Sequence, residues 1–367
     1  MELIELHILQ SFPVTCMNRD DVGAPKSAVF GGCQRARVSS QCWKRAIRTL
    51  ARTYNKEGFA GERTRFVVKA LQERLADRGQ SPAASLILAC TAADALGKLD
   101  NPEKGNVKTL LYFSPMELDA VVDALLAQDI EEITAFLVQP ESGNKEAEKE
   151  REKIQKKLDK IAEKAAKELG SAVKDAADIS IFGRMVADDH SLMKEGAGLF
   201  SHALTTHPAA NEIDFFSAVD DRNITDRGSG HMGTLEFSSG CYYRYVGLNL
   251  DLLRDKEHLA HFSSNERKNV VKDFLKASLL AVPEARKNSM FGQNPPHYVL
   301  GLRRKGQPIS LINAFESPVR SSSGFLKESE DRLKEHWKKL KTLYCLEKEI
   351  EAELPPNNLD TFLGKLI

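Results

Sequence analysis

None of the six cysteines (Cys16, Cys33, Cys42, Cys90, Cys241 and Cys345) belongs to a CxxC pair. That removes the signature of zinc knuckles and dithiol redox sites and leaves free, structural thiols as the expectation. No apolar run approaches the roughly 18 residues a membrane-spanning helix needs, and the opening MELIELHILQ carries glutamates where a secretory signal would be basic. A cytoplasmic location with no membrane partner is expected. Net charge is also missing: 52 Lys and Arg balance 52 Asp and Glu, so any attraction to a polyanion has to come from a local patch. Aromatic residues make up only 7%, which leaves few platforms for base stacking. No Walker loop, no GxGxxG opening a helix after a strand and no GxSxG elbow occurs, so nothing supports nucleotide hydrolysis, dinucleotide binding or a serine hydrolase. No cofactor is expected.

What the chain does have is concentrated near its start. From Arg19 to Arg52, eight cations (Arg19, Lys26, Arg35, Arg37, Lys44, Arg45, Arg48 and Arg52) face only Asp20 and Asp21, a local charge of 8 − 2 = +6 within a neutral protein. Such a window is the footprint of nucleic-acid binding. It reads as a loop bearing Gly23, Pro25, Gly31 and Gly32, followed by a helix capped by Ser39 or Ser40. On that helix Gln41, Lys44 and Arg48 share a face, while Trp43, Ala46 and Ile47 can pack inward. Ser39, Ser40 and Gln41 would add neutral donors at the positive end of the helix dipole.

Around this window the patterns alternate between strand and helix. Ile4, Leu6 and Ile8 alternate with Glu5, His7 and Leu9, predicting a strand with one buried face. Residues 58–177 are helical in character: Val67, Ala70, Leu71 and Leu75 mark one helix, and SLILACTAADAL, MELDAVVDALLA and IEEITAFLV mark three more. A highly charged helix follows, with Ile154, Leu158, Ile161, Ala165 and Leu169 inward and Gly170 as its stop. ISIFG (179–183) and TLEFSSGCYYRYVGLNLDLL predict strands; LFSHAL and IDFFSAV are apolar islands in a polar, hairpin-like region. A helix near Glu266–Ala281, a strand in HYVLGLRR and a helix through Leu333, Trp337, Leu340 and Tyr344, stopped by Pro355 and Pro356, complete the chain. The scheme is α+β with segregated helices: a sheet domain interrupted by a helical insert and a long hairpin.

Other constellations are weaker. Asp20-Asp21 and Asp188-Asp189-His190, with His202, His207 and His231, are the only candidates for a two-metal nuclease centre, but they lack HxH or HExxH spacing and adjacent aspartates diverge in a strand. Loop capping is the plainer role for them. Phe215 is expected to tuck back into a core, whereas Phe216 or Val219 could wedge between bases.

The run HIL, NRDD, PK, FGG, RARVSSQ and WKRAIR, continued by GRM, HALTTH, DFFSAVDD, GSGHMGTLEFSSG and YYRY, resembles the CasC family, the guide-binding backbone subunits of type I-E CRISPR Cascade complexes within the RAMP superfamily. The likeness covers most of the chain in order, and is least over residues 56–178 and the last fifty. It implies a palm with a modified RNA-recognition-motif (ferredoxin-like) fold, helical fingers and a thumb β-hairpin. The implied division is palm 1–55, fingers 56–178, palm with the GRM loop 179–198, thumb 199–235, palm 236–320 and a C-terminal helix on the palm 321–367. By motif, Lys26, Ser40, Gln41, Lys44, Arg45 and Arg48 would hold guide phosphates, joining Arg19, Arg35 and Arg37 from the charge argument. Met185 would pack on RNA, and Phe216 and Val219 would form a thumb wedge.

The resemblance further implies no catalytic residue and no metal. Its implied partners are the CRISPR guide RNA, the target DNA paired to it, further copies of the chain, and the large, small, guide-capping and guide-processing subunits of Cascade. The sheet aromatics of an RNA-recognition motif are not visible, so the grip should be nearly independent of sequence, with base pairing supplying the readout. A metal-dependent RNA endonuclease and a pure assembly scaffold are the alternatives.

Overall fold

The structure, a computed structural model, describes residues 1–101, 104–140, 145–169, 176–185, 192–219, 229–346 and 350–367. The chain divides into two compact units. One comprises Met1–Asn55, Ala197–Arg254 and Ser263–Ile367; the other comprises Lys56–Gly196 with Asp255–Phe262. The first opens with strand β1 (Glu2–Thr15), then β2 (Ser27–Phe30), β3 (Cys33–Val38) and helix α1 (Ser40–Tyr54).

The second unit is helical. It contains β4 (Glu62–Thr64), α2 (Val67–Asp77), α3 (Pro82–Gly97), the short β5 (Leu99–Asn101), β6 (Asn106–Val107) and β7 (Leu111–Phe113), then α4 (Pro115–Leu126), α5 (Glu131–Val138), α6 (Lys145–Ala166) and α7 (Ala177–Phe182). The apolar α3 packs against α2, α5 and α6. Leu88, Ala89, Ala92 and Ala93 of α3 share one core with Leu71, Leu75, Val121, Leu125 and Leu158. Helix α6 buries Leu158, Ala162 and Ala165 and exposes its lysines, as its 3.6-residue periodicity requires. Gly170 lies outside the described residues.

ISIFG, expected as a strand, forms most of α7 instead. All six of its residues are buried, so no alternating face existed to tell strand from helix. Gly183, at φ +77°, ends the helix; a Cβ there would come within 3.0 Å of Gly196 N and Lys194 O. Residues 179–196, assigned from sequence to the sheet domain, belong to this helical unit.

Returning to the sheet unit, the chain forms β8 (Gly198–Phe200), β9 (Ala203–Thr205), β10 (Glu212–Val219), β11 (Ser229–Asn249), α8 (Leu250–Leu253), α9 (Ser264–Leu280), β12 (Tyr298–Lys305), α10 (Leu326–Leu343), β13 (Ile350–Leu354) and α11 (Leu359–Leu366). The result is a nine-stranded antiparallel sheet in the order β13-β12-β1-β11-β9-β3-β2, with β8 and β10 also paired to β11. Residues 199–205, expected in the thumb, instead carry the end of β8 and all of β9 in the main sheet; the hairpin proper is Glu212–Val219 paired with Ser229–Phe237. The last strand and helix, β13 and α11, had no counterpart in the sequence reading.

Strand β1 lies between β11 and β12 and is buried on both faces, not one. On one side Tyr243, Tyr298 and Leu300 pack with Leu333 and Trp337 of α10. On the other, Phe12 meets Trp43 of α1 at 6.4 Å and Tyr242 at 5.8 Å. The polar residues caught inside are partnered, as buried polar groups must be. Glu5 accepts from Tyr245 Oη (2.7 Å) and Ile309 N (2.9 Å) and pairs with Arg304. Gln10 Oε1 accepts from Arg244 Nε at 3.1 Å, and the Arg244 guanidinium lies 4.2 Å over the Trp43 ring. Burial, reinforced by Arg304, pushes His7 down to about 3, so it stays neutral beside Tyr243 Oη at 3.0 Å. All six cysteines are free.

Candidate nucleic-acid interface

The basic window is built as a hairpin leading into a helix. Residues 19–25 close tightly: Arg19 bridges Pro25, and Asp20 Oδ1 accepts from Val22 N (3.1 Å) and Ala24 N (2.9 Å). Asp20 is thus a loop cap, the plainer of its two sequence readings. Lys26 N donates to Asn18 O (2.9 Å) and Arg37 N to Lys26 O (2.8 Å), so the expected loop is in fact β2 and β3 joined at Gly31-Gly32. Asn18 Oδ1 accepts from Ser39 N at 2.9 Å, and Ser39 Oγ caps α1 by accepting from Cys42 N at 3.3 Å.

The first turn of α1 carries no acidic residue, and cations gather around it. Asn18 accepts from both Lys26 N and Ser39 N, and Arg37 N donates to Lys26 O, so Lys26 and Arg37 lie by the start of α1, whose second turn carries Arg45. Lys26 and Arg45 both act electrostatically on the Cys42 thiol, and Arg37 and Lys26 on His202. Among the described residues, Arg19, Lys26, Arg37 and Arg45 form no ion pair; Arg37 Nε donates to Ser27 O at 3.3 Å. Gln41 and Arg45 are exposed, whereas Lys44 and Arg48 are half-buried, with Lys44 Nζ 5.0 Å from the Phe200 ring. The open row of α1 is therefore Gln41-Arg45, beside the row Gln41-Lys44-Arg48 that the spacing singled out. Ser40 is buried; its Oγ donates to Gln41 Oε1 at 3.0 Å.

Arg35 leaves the set. It is fully buried, donating from Nε to Phe30 O (3.2 Å), from Nη1 to Thr205 O (3.0 Å) and from Nη2 to Phe315 O (2.9 Å). Its guanidinium ties β2–β3 to the sheet and cannot reach a phosphate; charge counting alone does not distinguish such a strut from a free cation. Gly31 completes the same junction, at φ +58°, where a Cβ would lie 1.7 Å from Glu316 O. Gly31→Ala should therefore cost about 1–3 kcal/mol in urea unfolding; an unchanged midpoint would show that the turn relaxes freely.

The three histidines weighed as metal ligands are engaged separately. His202 Nδ1 accepts from Ser40 N (3.2 Å). His207 accepts Cys241 N at Nε2 (3.1 Å) and stacks on Phe325 at 3.6 Å. His231 lies 5.8 Å from Phe216 in the hairpin. Among the described residues no group of three His, Cys, Asp or Glu could hold a metal; Asp188, Asp189 and His190 lie outside them. No helix among those residues is long and apolar enough to cross a membrane.

On the hairpin, Phe215 (64% exposed) and Val219 (65%) face solvent with Ile213 and Met232. Phe215 does not tuck back into a core. Phe216 is half-buried, its ring seated where a Cβ on Gly233 would come within 2.7 Å of Cζ. Within the helical unit, Met185 is 82% exposed and follows directly on the buried Arg184. Arg184 and Lys194 exchange backbone hydrogen bonds of 2.9 and 2.8 Å, and the Arg184 side chain pairs with Glu117 at 2.8 Å.

The whole fold has solved counterparts. A chain of a "CRISPR RNA-guided surveillance complex, pre-nicking" superposes with a TM-score of 0.76 at 27% identity, covering 100% of both chains. A chain of a second "CRISPR RNA-guided surveillance complex" gives 0.58 at 24% identity over 98% of this chain and 92% of that one, a likeness of fold alone. No curated protein matches. The family of CT1975-like proteins matches residues 4–358, and the chain belongs to that family.

Proposed function

We propose that this protein is a non-catalytic, guide-RNA-binding subunit of a CRISPR surveillance complex, of the type I-E CasC kind. It polymerises along the guide and presents the spacer for pairing with target DNA beside the large, small, guide-capping and guide-processing subunits. The observation that carries this reading is the concentration of Lys26, Arg37 and Arg45 around the acid-free start of α1, with no ion pair to occupy them among the described residues, in a chain of zero net charge. The likeness to a chain of a solved RNA-guided complex over its full length supports it. Arg19, Lys26, Arg37, Gln41, Lys44, Arg45 and Arg48 hold guide phosphates, whereas Ser40, its hydroxyl and N–H both donated within the protein, supports them from beneath. Met185 packs on the RNA, and the hairpin, with half-buried Phe216 and exposed Val219 as the wedge, interrupts the base stack. Contacts to phosphate carry no sequence information, as a subunit serving any spacer requires.

Lys44→Glu should weaken binding equally for unrelated RNA sequences and lower the salt slope of affinity by roughly 0.7–1. A loss confined to one sequence would overturn the backbone grip. Labelled RNA incubated with Mg²⁺ should remain intact; cleavage abolished by EDTA would instead establish the endonuclease reading.

A further inference from the structure

The cations of the basic window account for charge, but not for what holds the first turn of α1 in place beneath them. Besides Asn18 and the Ser39 cap, a residue far along the chain contributes to this. His202, in the connection between β8 and β9, accepts the Ser40 backbone N–H through Nδ1 at 3.2 Å. Two residues earlier, at the end of β8, Phe200 places its ring 5.0 Å from Lys44 Nζ. A short stretch of the sheet thus touches α1 at its first and second turns. The imidazole is exposed and faces two cations, Arg37 of β3 and Lys26.

Partial burial and then these two charges hold His202 below the usual histidine range, so near neutral pH the ring is uncharged. With Nδ1 accepting from Ser40, the ring hydrogen resides on Nε2. The ring therefore has one nitrogen committed to the helix and one donor remaining, adjacent to the groups assigned to phosphate. An acceptor at this point also satisfies one of the backbone N–H groups that a helix start leaves unpaired.

We propose that His202 is a positioning residue of the guide-binding face: its Nδ1 holds the Ser40 N–H and so fixes the first turn of α1, keeping Gln41 and Arg45 in register with Lys26 and Arg37. The proposal rests on the guide-binding reading above and adds to it a residue outside the basic window. It requires the acceptor at Nδ1 rather than the ring itself, which separates it from a packing role. Asparagine carries its carbonyl oxygen close to the position of Nδ1, whereas glutamine extends its own one methylene further.

The test is fluorescence anisotropy of the full-length chain with unstructured single-stranded RNA at pH 7.5, together with thermal unfolding. Since a net hydrogen bond is worth about 0.5–1.5 kcal/mol, His202→Ala and His202→Gln should each lower affinity about 3–10-fold, with unfolding midpoints near that of the unaltered protein. His202→Asn should bind within about twofold of the unaltered protein. Equal affinities for the alanine and asparagine variants would overturn the proposal, as would an affinity loss that follows the unfolding midpoint across all three. Lys44→Glu, measured in parallel, keeps the two ideas apart: if it leaves binding unchanged, the guide-binding reading fails; if it weakens binding while His202→Ala does not, only the positioning role fails.

Discussion

Replacing Arg184 by alanine is expected to destabilise the helical unit by about 3–5 kcal/mol, because it strands a carboxylate in the core. The side chains of Arg184 and Glu117 are 1% and 0% exposed. Arg184 Nη1 donates to both carboxylate oxygens, at 2.8 and 2.9 Å, and to Tyr112 O at 3.2 Å, while Nε donates to Leu192 O at 2.8 Å. Glu117 in turn accepts Ser114 N at 2.8 Å, closing the capping box that starts α4. The pair therefore joins the start of α4 to the residue that precedes Met185. Urea unfolding followed by circular dichroism measures the loss. The double variant Arg184→Met with Glu117→Gln removes both charges, keeps an acceptor for Ser114, and should lose less than the single variant. A single-variant loss below about 1 kcal/mol would mean that water reaches the carboxylate.

The second large effect concerns RNA. Lys26→Glu combined with Arg45→Glu should lower affinity for single-stranded RNA about 100-fold near 0.15 M salt, and reduce the salt slope by roughly 1.4, twice the value of about 0.7 per single-strand phosphate contact. Neither side chain forms an ion pair within the described residues, so the fold should be retained. Arg35→Met provides the contrast: it removes a cation from the same window, yet that cation donates only to protein carbonyls. It should lower stability and leave the salt slope unchanged. Equal slopes for all three proteins would relocate the RNA away from α1.

Much of this was legible in the sequence, and the failures share a cause. The cap at Ser39, the inward Trp43 and Ile47, helices α2 to α6 and the strands β11 and β12 follow from local periodicity and capping chemistry, which one sequence displays. What escaped depends on neighbours distant in the chain. Arg35 looked like a free cation because its acceptors, Thr205 and Phe315, lie 170 and 280 residues away. Strand β1 looked half-buried because Glu5, His7 and Gln10 are polar, and only the fold brings Arg304, Tyr243 and Arg244 to them. His202 had the wrong chemistry in view: a histidine near aspartates suggests metal, whereas its partner is a backbone N–H. The α7 segment failed because burial on every side erases periodicity.

Strand β11 is continuous for 21 residues. Its later part, Ser238–Asn249, pairs with β1 inside the sheet, and its earlier part, Ser229–Phe237, pairs with β10 in the hairpin. Hairpin and sheet thus share one continuous strand, with a register shift in its pairing to β1 between Ser238 and Gly240, at the junction. At about 3.4 Å per residue, the nine residues from Ser229 to Phe237 run roughly 30 Å, with Val219 opposite Ser229 at the far end and Phe215 opposite Thr234 nearer the sheet. In the proposed assembly this strand acts as a ruler: the step from one subunit to the next is cut into its length, independent of the guide. It also makes that step intolerant of single-residue insertions, because a slip of one position turns every hairpin side chain to the opposite face.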